Sequence, residues 1–438
     1  MIHRRWAKTA LAAAATLTMF GTLIPTLAYA SNSTSSNTST NAAKGAPTNA
    51  IASSQDTAPN AVAQNGHITG VAMPVAPETM AKSILVMDAD NGQILYAKNP
   101  DERRAPASTT KLMTMLLIAK AVREGKASWN EEVPVTLDAY KVAVEPGVSD
   151  AYLDPKEHFT LQDMMKFIAV ISANDATIAA ADKIGGDKQA FVNMMNQEAK
   201  HLGLTGTHYM NPDGLPSPDH YTTARDLAEL ARHIVTDYPE ILSYTSLPKV
   251  TVRKGNTWTS TDELLGHFEG VDGLKTGFTD DAGYCYVGTA KQNSVRLITV
   301  VMGDTKTNIH QRFIDTAKLL NYGFHNFTEQ KSVKAQQILA NTVYLPEAAK
   351  QHLQVKAERD LIADLPNGMQ GQVVMTPAAG IKAPVKAGQE VGQLAYQVHG
   401  QTVSSVPVVA AQDDSKASWF IGVIRRVHSW FGHLLHRA

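Results

Sequence analysis

Three short stretches of this chain carry residues whose types and spacing could do chemistry. The first is "PASTTKLMTMLLIAKAV", residues 106 to 122, where Ser108 stands three positions before Lys111 and an apolar helical pattern follows. Pro106 and the hydroxyls are helix-start chemistry, which sets Ser108 at or beside the N-cap. Three residues are close to one turn, so Ser108 and Lys111 lie on the same face. A serine hydroxyl is a poor nucleophile until a base takes its proton. Lysine is that base only where burial and nearby positive charge lower its pKa toward neutrality. The free N–H groups of the same helix start would suit an oxyanion. Taken alone, the spacing is common, and a capped helix with a surface lysine is the simpler account.

The second stretch is "AVISANDATIAA", in which Ser172-Ala173-Asn174 interrupts an apolar run. Polar groups set there need partners or a cleft; by itself the stretch reads equally as a loop or an Asn/Asp cap. The third is "GVDGLKTGFTDDAGYCYVG". Lys275 supplies a positive charge and Thr276 a donor hydroxyl for a carboxylate, while Gly277 lets a ligand approach the strand backbone. In isolation it is also a glycine-rich turn.

The elements around these stretches point to an antiparallel sheet covered by helices, an α/β (α+β) class. "SILVMDADNGQILYAKNP" has two apolar runs about Asp90-Asn91-Gly92, a hairpin signal. "LQDMMKFIAVISANDATIAAADKIG", "KQAFVNMMNQEAKHLGL" and "TARDLAELARHIVTDYP" have helical spacing, the last stopped by Pro239. "GYCYVGTAKQNSVRLITVVMG" reads as two strands joined by a polar turn, and "NIHQRFIDTAKLLNYGF" as a closing helix. Together these make one domain over residues 78–328. Residues 329–411, with Val-rich runs and a hairpin at His399-Gly400-Gln401, read as a small β-rich domain.

The ends of the chain differ in texture. Residues 1–30 have Arg4, Arg5 and Lys8, an apolar run and an Ala28-Tyr29-Ala30 cleavage pattern, which predicts a signal peptide and export. Residues 31–77 are rich in Ser, Thr, Asn and Ala and read as a flexible linker. In residues 412–438, Phe420, Val423, Ile424, Val427, Trp430, Phe431 and Leu434 recur at helical spacing, opposite Arg425, Arg426 and several histidines. That is a basic amphipathic helix suited to a membrane surface and too interrupted to span one easily. Lys+Arg at 40 against Asp+Glu at 41 gives no basic excess, so nothing calls for nucleic acid. The single cysteine, Cys285, cannot form an internal disulfide and reads as a small buried residue.

Ser-x-x-Lys, Ser-x-Asn and Lys-Thr-Gly, about 60 and then about 100 residues apart, are the three elements of the penicillin-recognising serine enzymes. With "NPDGLPSPDHYTTARDLAELA" and "VDGLKTGFTDDAGYCYVGTAKQ", the chain resembles the DD-carboxypeptidases among the low-molecular-mass penicillin-binding proteins. The β-rich segment and tail match that family's C-terminal additions. The resemblance implies a β-lactamase/transpeptidase-like catalytic domain that removes the terminal D-alanine from peptidoglycan stem peptides through an acyl-enzyme and is acylated by β-lactams. It further implies that Ser108 attacks, Lys111 accepts its proton, and Ser172 relays a proton to the leaving D-alanine. Asn174 would hold Lys111 and the substrate amide, while Lys275 and Thr276 face the terminal carboxylate. The oxyanion would lie between the N–H groups of Ser108 and Phe278. No metal or cofactor is implied, and the histidines lack ligand spacing. The implied location is the outer face of the cytoplasmic membrane, partly secreted, with a role in cell-wall synthesis and cell shape.

Ala173 replaces a common glycine, and Phe278 stands where some relatives carry histidine, which bears on substrate preference. "STDELLGHFEG" does not align with the stretch those relatives carry before Lys-Thr-Gly. A class A β-lactamase is the nearest alternative, but its deacylating Glu-x-x-Leu-Asn segment has no counterpart in "QEAKHLGLTGTHYMNPDGLP". A non-catalytic wall-binding protein is the other; intact Ser108, Lys111, Ser172 and Lys275 argue against it.

Overall fold

A computed structural model describes residues 72–421 and 423–425. The expected signal peptide, all of the linker up to residue 71, and the tail helix beyond residue 425 lie outside the described residues.

Alternating burial builds the central sheet. Strands β1 (Ser83–Asp88), β2 (Ile94–Lys98), β3 (Val271–Thr279), β4 (Gly283–Gln292) and β5 (Val295–Asp304) pair antiparallel in the order β2-β1-β5-β4-β3. β1 is buried along its whole length because it is covered on both faces. Its residues Leu85 and Met87 join Ile298 and Val300 in the larger core, while Ile84 and Val86 join Leu297 and Val301 in a second core on the other side. This is the period-two division of side chains between two faces. Gly92, at φ +75°, closes the expected β1–β2 hairpin.

Helices α1 (Lys111–Arg123), α2 (Leu161–Ile171), α3 (Asn174–Gly185), α4 (Lys188–His201) and α5 (Ala224–Asp237) supply the larger core through residues such as Leu112, Met165, Ile178, Phe191 and Leu230. Helix α6 (Gln311–Asn326) covers the opposite face with Leu319 and Leu320. Local chemistry fixes where these helices start. Thr160 and Asp163 form a reciprocal capping box at α2, and the Thr223 hydroxyl accepts from the Asp226 N–H at α5.

The helical pattern from residue 161 to 185 is two helices, not one. Ser172, with φ 60° and ψ 29°, ends α2 in the left-handed conformation, and α3 starts at Asn174. The break turns the chain at the polar pair that the sequence singles out.

Phe327 begins a new strand directly after α6 and pairs with Leu361–Pro366. A five-stranded antiparallel sheet follows, with a core that includes Val355, Leu394 and Val408. The Gln93 side chain bridges the two parts. Its amide donates to the Asp364 carbonyl at 2.6 Å and its oxygen accepts from the Asp364 N–H at 2.9 Å. Asn91 donates to the Asp364 carboxylate at 2.6 Å. Burial raises the pKa of Asp364 and of Asp88 beside it, and for Asp88 the charge of Asp364 adds to the effect.

Candidate active site

Ser108 belongs to a short 3₁₀ turn, Ala107–Thr110, that leads into α1 at Lys111. The sequence places it at or beside the N-cap; it lies two residues before the α1 cap, Thr110, in a turn tighter than an α-helix, and the serine to lysine step of three residues spans the junction. The two side chains do meet. Lys111 Nζ is 3.0 Å from Ser108 Oγ, in the direction of a donated hydrogen bond when the amine is charged.

Lys111 has no exposed surface. Its amine also donates to Asn174 Oδ1 at 2.7 Å and to the Asp213 carbonyl. Burial lowers its pKa to about 8, against the opposing pull of Asp213 and Asp175. Desolvation is therefore the leading cause that makes this lysine a usable base near neutral pH. The Asn174 amide group is fixed at its other end, where Nδ2 and the backbone N–H both donate to the Ser149 carbonyl at 2.8 Å. Ser172 Oγ is buried and has no hydrogen-bond partner among the described residues. An unsatisfied buried hydroxyl is costly unless a ligand completes it.

The third stretch arrives on β3, the edge of the sheet. Two glycines bring backbone against backbone here. A Cβ on Gly277 would stand 3.0 Å from the Ser108 nitrogen and 3.2 Å from that of Thr109. A Cβ on Gly214, at φ +85°, would collide with the Ala107 carbonyl at 1.9 Å. Only glycine permits the approach at 214, while at 277 a side chain would have to push the Ser108 backbone away by a few tenths of an ångström. The result is a strand edge running beside the N–H group of Ser108.

Thr276 Oγ1 pairs with the Thr261 hydroxyl at 2.7 Å. Lys275 is buried, and its pKa falls well below the usual lysine value through burial and then the charges of Lys111 and Arg312, opposed by Asp262. Asp262 itself accepts from the Tyr286 hydroxyl at 2.6 Å. Phe278 is exposed and stacks on Tyr284 with ring centres 4.4 Å apart.

Ser108, Ser172, Asn174, Thr276, Gly277 and Phe278 all line one cleft of about 220 Å³. Lys111 lies behind this lining, bonded to Ser108 and Asn174, and Lys275 adjoins Thr276 in the strand. The sequence reading missed four contributors. Arg312 enters from α6, lines the cleft and reaches the Gly277 carbonyl at 3.4 Å. Thr261 comes from the stretch that resisted alignment. The carbonyls of Asp213 and Ser149 orient Lys111 and Asn174, and a backbone acceptor leaves no mark in residue type. The arrangement offers a cleft hydroxyl beside a buried amine of lowered pKa, a second hydroxyl with no partner among the described residues, and the positive charge of Arg312 at one end. It is suited to acyl transfer on a substrate that ends in a carboxylate.

Comparison with known proteins identifies the same kind of enzyme. A family profile described as D-alanyl-D-alanine carboxypeptidase matches residues 70–306, and one described as the penicillin-binding protein 5 C-terminal domain matches residues 327–416. A D-alanyl-D-alanine carboxypeptidase of Bacillus subtilis, DacF, is 33% identical over 359 residues, covering 80% of this chain and 90% of that protein. The crystal structure of penicillin binding protein 5 from Haemophilus influenzae superposes with a TM-score of 0.73 at 31% identity, covering 78% of this chain and all of that one. Penicillin-binding protein D2 of Listeria monocytogenes, solved in an ampicillin-bound form, gives a TM-score of 0.52 at 34% identity over 57% of this chain and 100% of its own.

Proposed function

This chain belongs to the D-alanyl-D-alanine carboxypeptidase family and is a serine-type hydrolase of it, and on that premise we propose how its cleft works. Ser108 attacks the carbonyl between the two terminal D-alanines of a peptidoglycan stem peptide. Lys111, in the neutral form that its lowered pKa of about 8 makes accessible, takes the hydroxyl proton across the 3.0 Å contact. Ser172 relays to the leaving amine the proton that Lys111 has taken, so the lysine returns to its neutral form and the seryl hydroxyl is restored; that hydroxyl has no competing partner among the described residues. The close approach of Gly277 to Ser108 supports an oxyanion site between the N–H groups of Ser108 and Phe278. Asn174 steadies Lys111 and the scissile amide. Thr276, Lys275 and Arg312 hold the terminal carboxylate, and water then frees the acyl-enzyme.

The observation that carries this reading is the burial of Lys111 against Ser108 and Asn174 in one constellation. The direct test is to incubate the protein with a diacetyl-Lys-D-Ala-D-Ala peptide and measure free D-alanine. Steady release is expected. Bound peptide with no release would leave only a wall-binding role. β-lactams are proposed as inhibitors that acylate Ser108 because their strained amide resembles the D-Ala-D-Ala bond.

The domain limits carry over as 78–328 for catalysis and 329–411 for a β-rich spacer. We further propose that residues 1–30 direct export and that the tail holds the enzyme at the outer face of the cytoplasmic membrane. A role in cell shape follows from trimming stem peptides there. Support for the tail comes from Trp419, Phe420, Ile421, Val423 and Ile424, all exposed in its described part. No helix among the described residues is long and apolar enough to cross a membrane. Full-length protein without residues 1–30 should sediment with anionic liposomes, and a chain ending at Ala411 should stay in solution and keep its activity. Equal sedimentation of the two proteins would refute the anchor.

A further inference from the structure

The segment between residues 144 and 158 does more than border the cleft. Gly147, Val148 and Ser149 form part of the lining, and Ser149 fixes Asn174 as described above. Three residues further on, Tyr152 sits at φ +54° with more than half its surface exposed (57%). A non-glycine residue held left-handed is strained and persists only where its surroundings enforce it.

The surroundings here do. The buried Asp175 carboxylate accepts from the N–H groups of Ala151 at 3.0 Å and Leu153 at 2.9 Å. Asp150 accepts from the Tyr152 N–H at 3.2 Å. From the other side Arg253, paired with Glu157, donates to the carbonyls of Ala151 at 2.9 Å and Tyr152 at 2.6 Å. Both peptide units flanking Tyr152 are thus clamped, yet its ring points to solvent. It rests against Trp258, with ring centres 6.0 Å apart and planes 35° apart. Trp258 stands on a second segment that serves the cleft, since Thr261, three residues later, lines it and bonds Thr276.

We infer that Tyr152, backed by Trp258, is a specificity-determining contact that takes the alkyl side chain of the stem-peptide residue preceding the two D-alanines. The inference rests on the carboxypeptidase reading. With the terminal carboxylate against Thr276, Lys275 and Arg312, the upstream part of the peptide meets the uncharged remainder of the lining. That remainder includes Gly147, Val148, Ser149 and Leu215, and Tyr152, just outside the lining, extends the same segment outward. The clamped backbone means the ring is already placed before substrate arrives, so little ordering entropy is lost on contact. An aromatic face packs well against a methylene chain and requires no charge from its ligand.

The test compares two peptides, diacetyl-Lys-D-Ala-D-Ala and acetyl-Gly-D-Ala-D-Ala, on wild type, Tyr152→Ala and Tyr152→Phe. Tyr152→Ala should lose roughly 3- to 10-fold in kcat/KM on the lysyl peptide, the scale of a ring contact, chiefly through KM, and change little on the glycyl peptide. Tyr152→Phe should retain wild-type discrimination. Equal losses on both peptides would make Tyr152 a structural residue and overturn the inference, as would no loss on either. A wild type that releases no D-alanine from either peptide would instead remove the carboxypeptidase reading, and this inference with it.

Discussion

Labelled penicillin is expected to attach covalently to Ser108 of the wild-type protein, and Ser108→Ala is expected to take up none and to release no D-alanine above background. The hydroxyl is half-buried on the lining of the cleft, within reach of a base and beside the edge strand. No other serine of the site has that combination, since Ser172 lacks any partner that could take its proton. Peptide mapping of the adduct checks the assignment. Label on another residue, or undiminished label in the alanine variant, would show that the nucleophile has been misplaced.

Lys111→Ala should slow acylation by about 10²–10⁴-fold, the usual contribution of a positioned general base. The change leaves Asn174 Oδ1 and the Asp213 carbonyl without their donor, a cost of about 1–3 kcal/mol for each buried group left unsatisfied. Removing a buried amine offsets part of that, so the variant should still melt cooperatively. The pH dependence separates a base from a strut. The neutral amine is the reactive form and its pKa is lowered to about 8. Acylation in the wild type should therefore rise with pH through about 8 and level off above it. A flat profile from pH 6 to 9, or a Lys111→Ala variant within a few-fold of wild type, would make Lys111 structural.

Much of this site is legible in the order of residues because its side chains cluster near three turns. Asp90-Asn91-Gly92 announces the first hairpin, and Ser108, Ser172 and Lys275 each stand where a polar group interrupts or borders an apolar run. What escapes is of three physical kinds. Arg312 reaches the cleft from a helix more than thirty residues beyond Lys275 in the chain, at no spacing that local periodicity encodes. The carbonyls of Asp213 and Ser149 belong to the backbone, so any residue there would supply them. The split between α2 and α3 depends on a left-handed serine, and serine is not a residue type that announces that conformation. The same limit applies to Tyr152, whose conformation is imposed by Asp175 and Arg253 from distant parts of the sequence.

The left-handed Ser172 has one more consequence. The position that closes a helix in this conformation is where glycine rests most easily, and a serine there raises the energy of the folded chain. It also leaves a buried hydroxyl without a hydrogen-bond partner among the described residues. Both penalties fall on the one residue through which the proposed mechanism moves a proton. The sequence of greatest thermal stability for this backbone is therefore not the sequence of greatest turnover. Selection for heat resistance alone, with no demand on catalysis, would drift toward glycine at residue 172 and arrive at a sturdier protein that no longer trims its substrate.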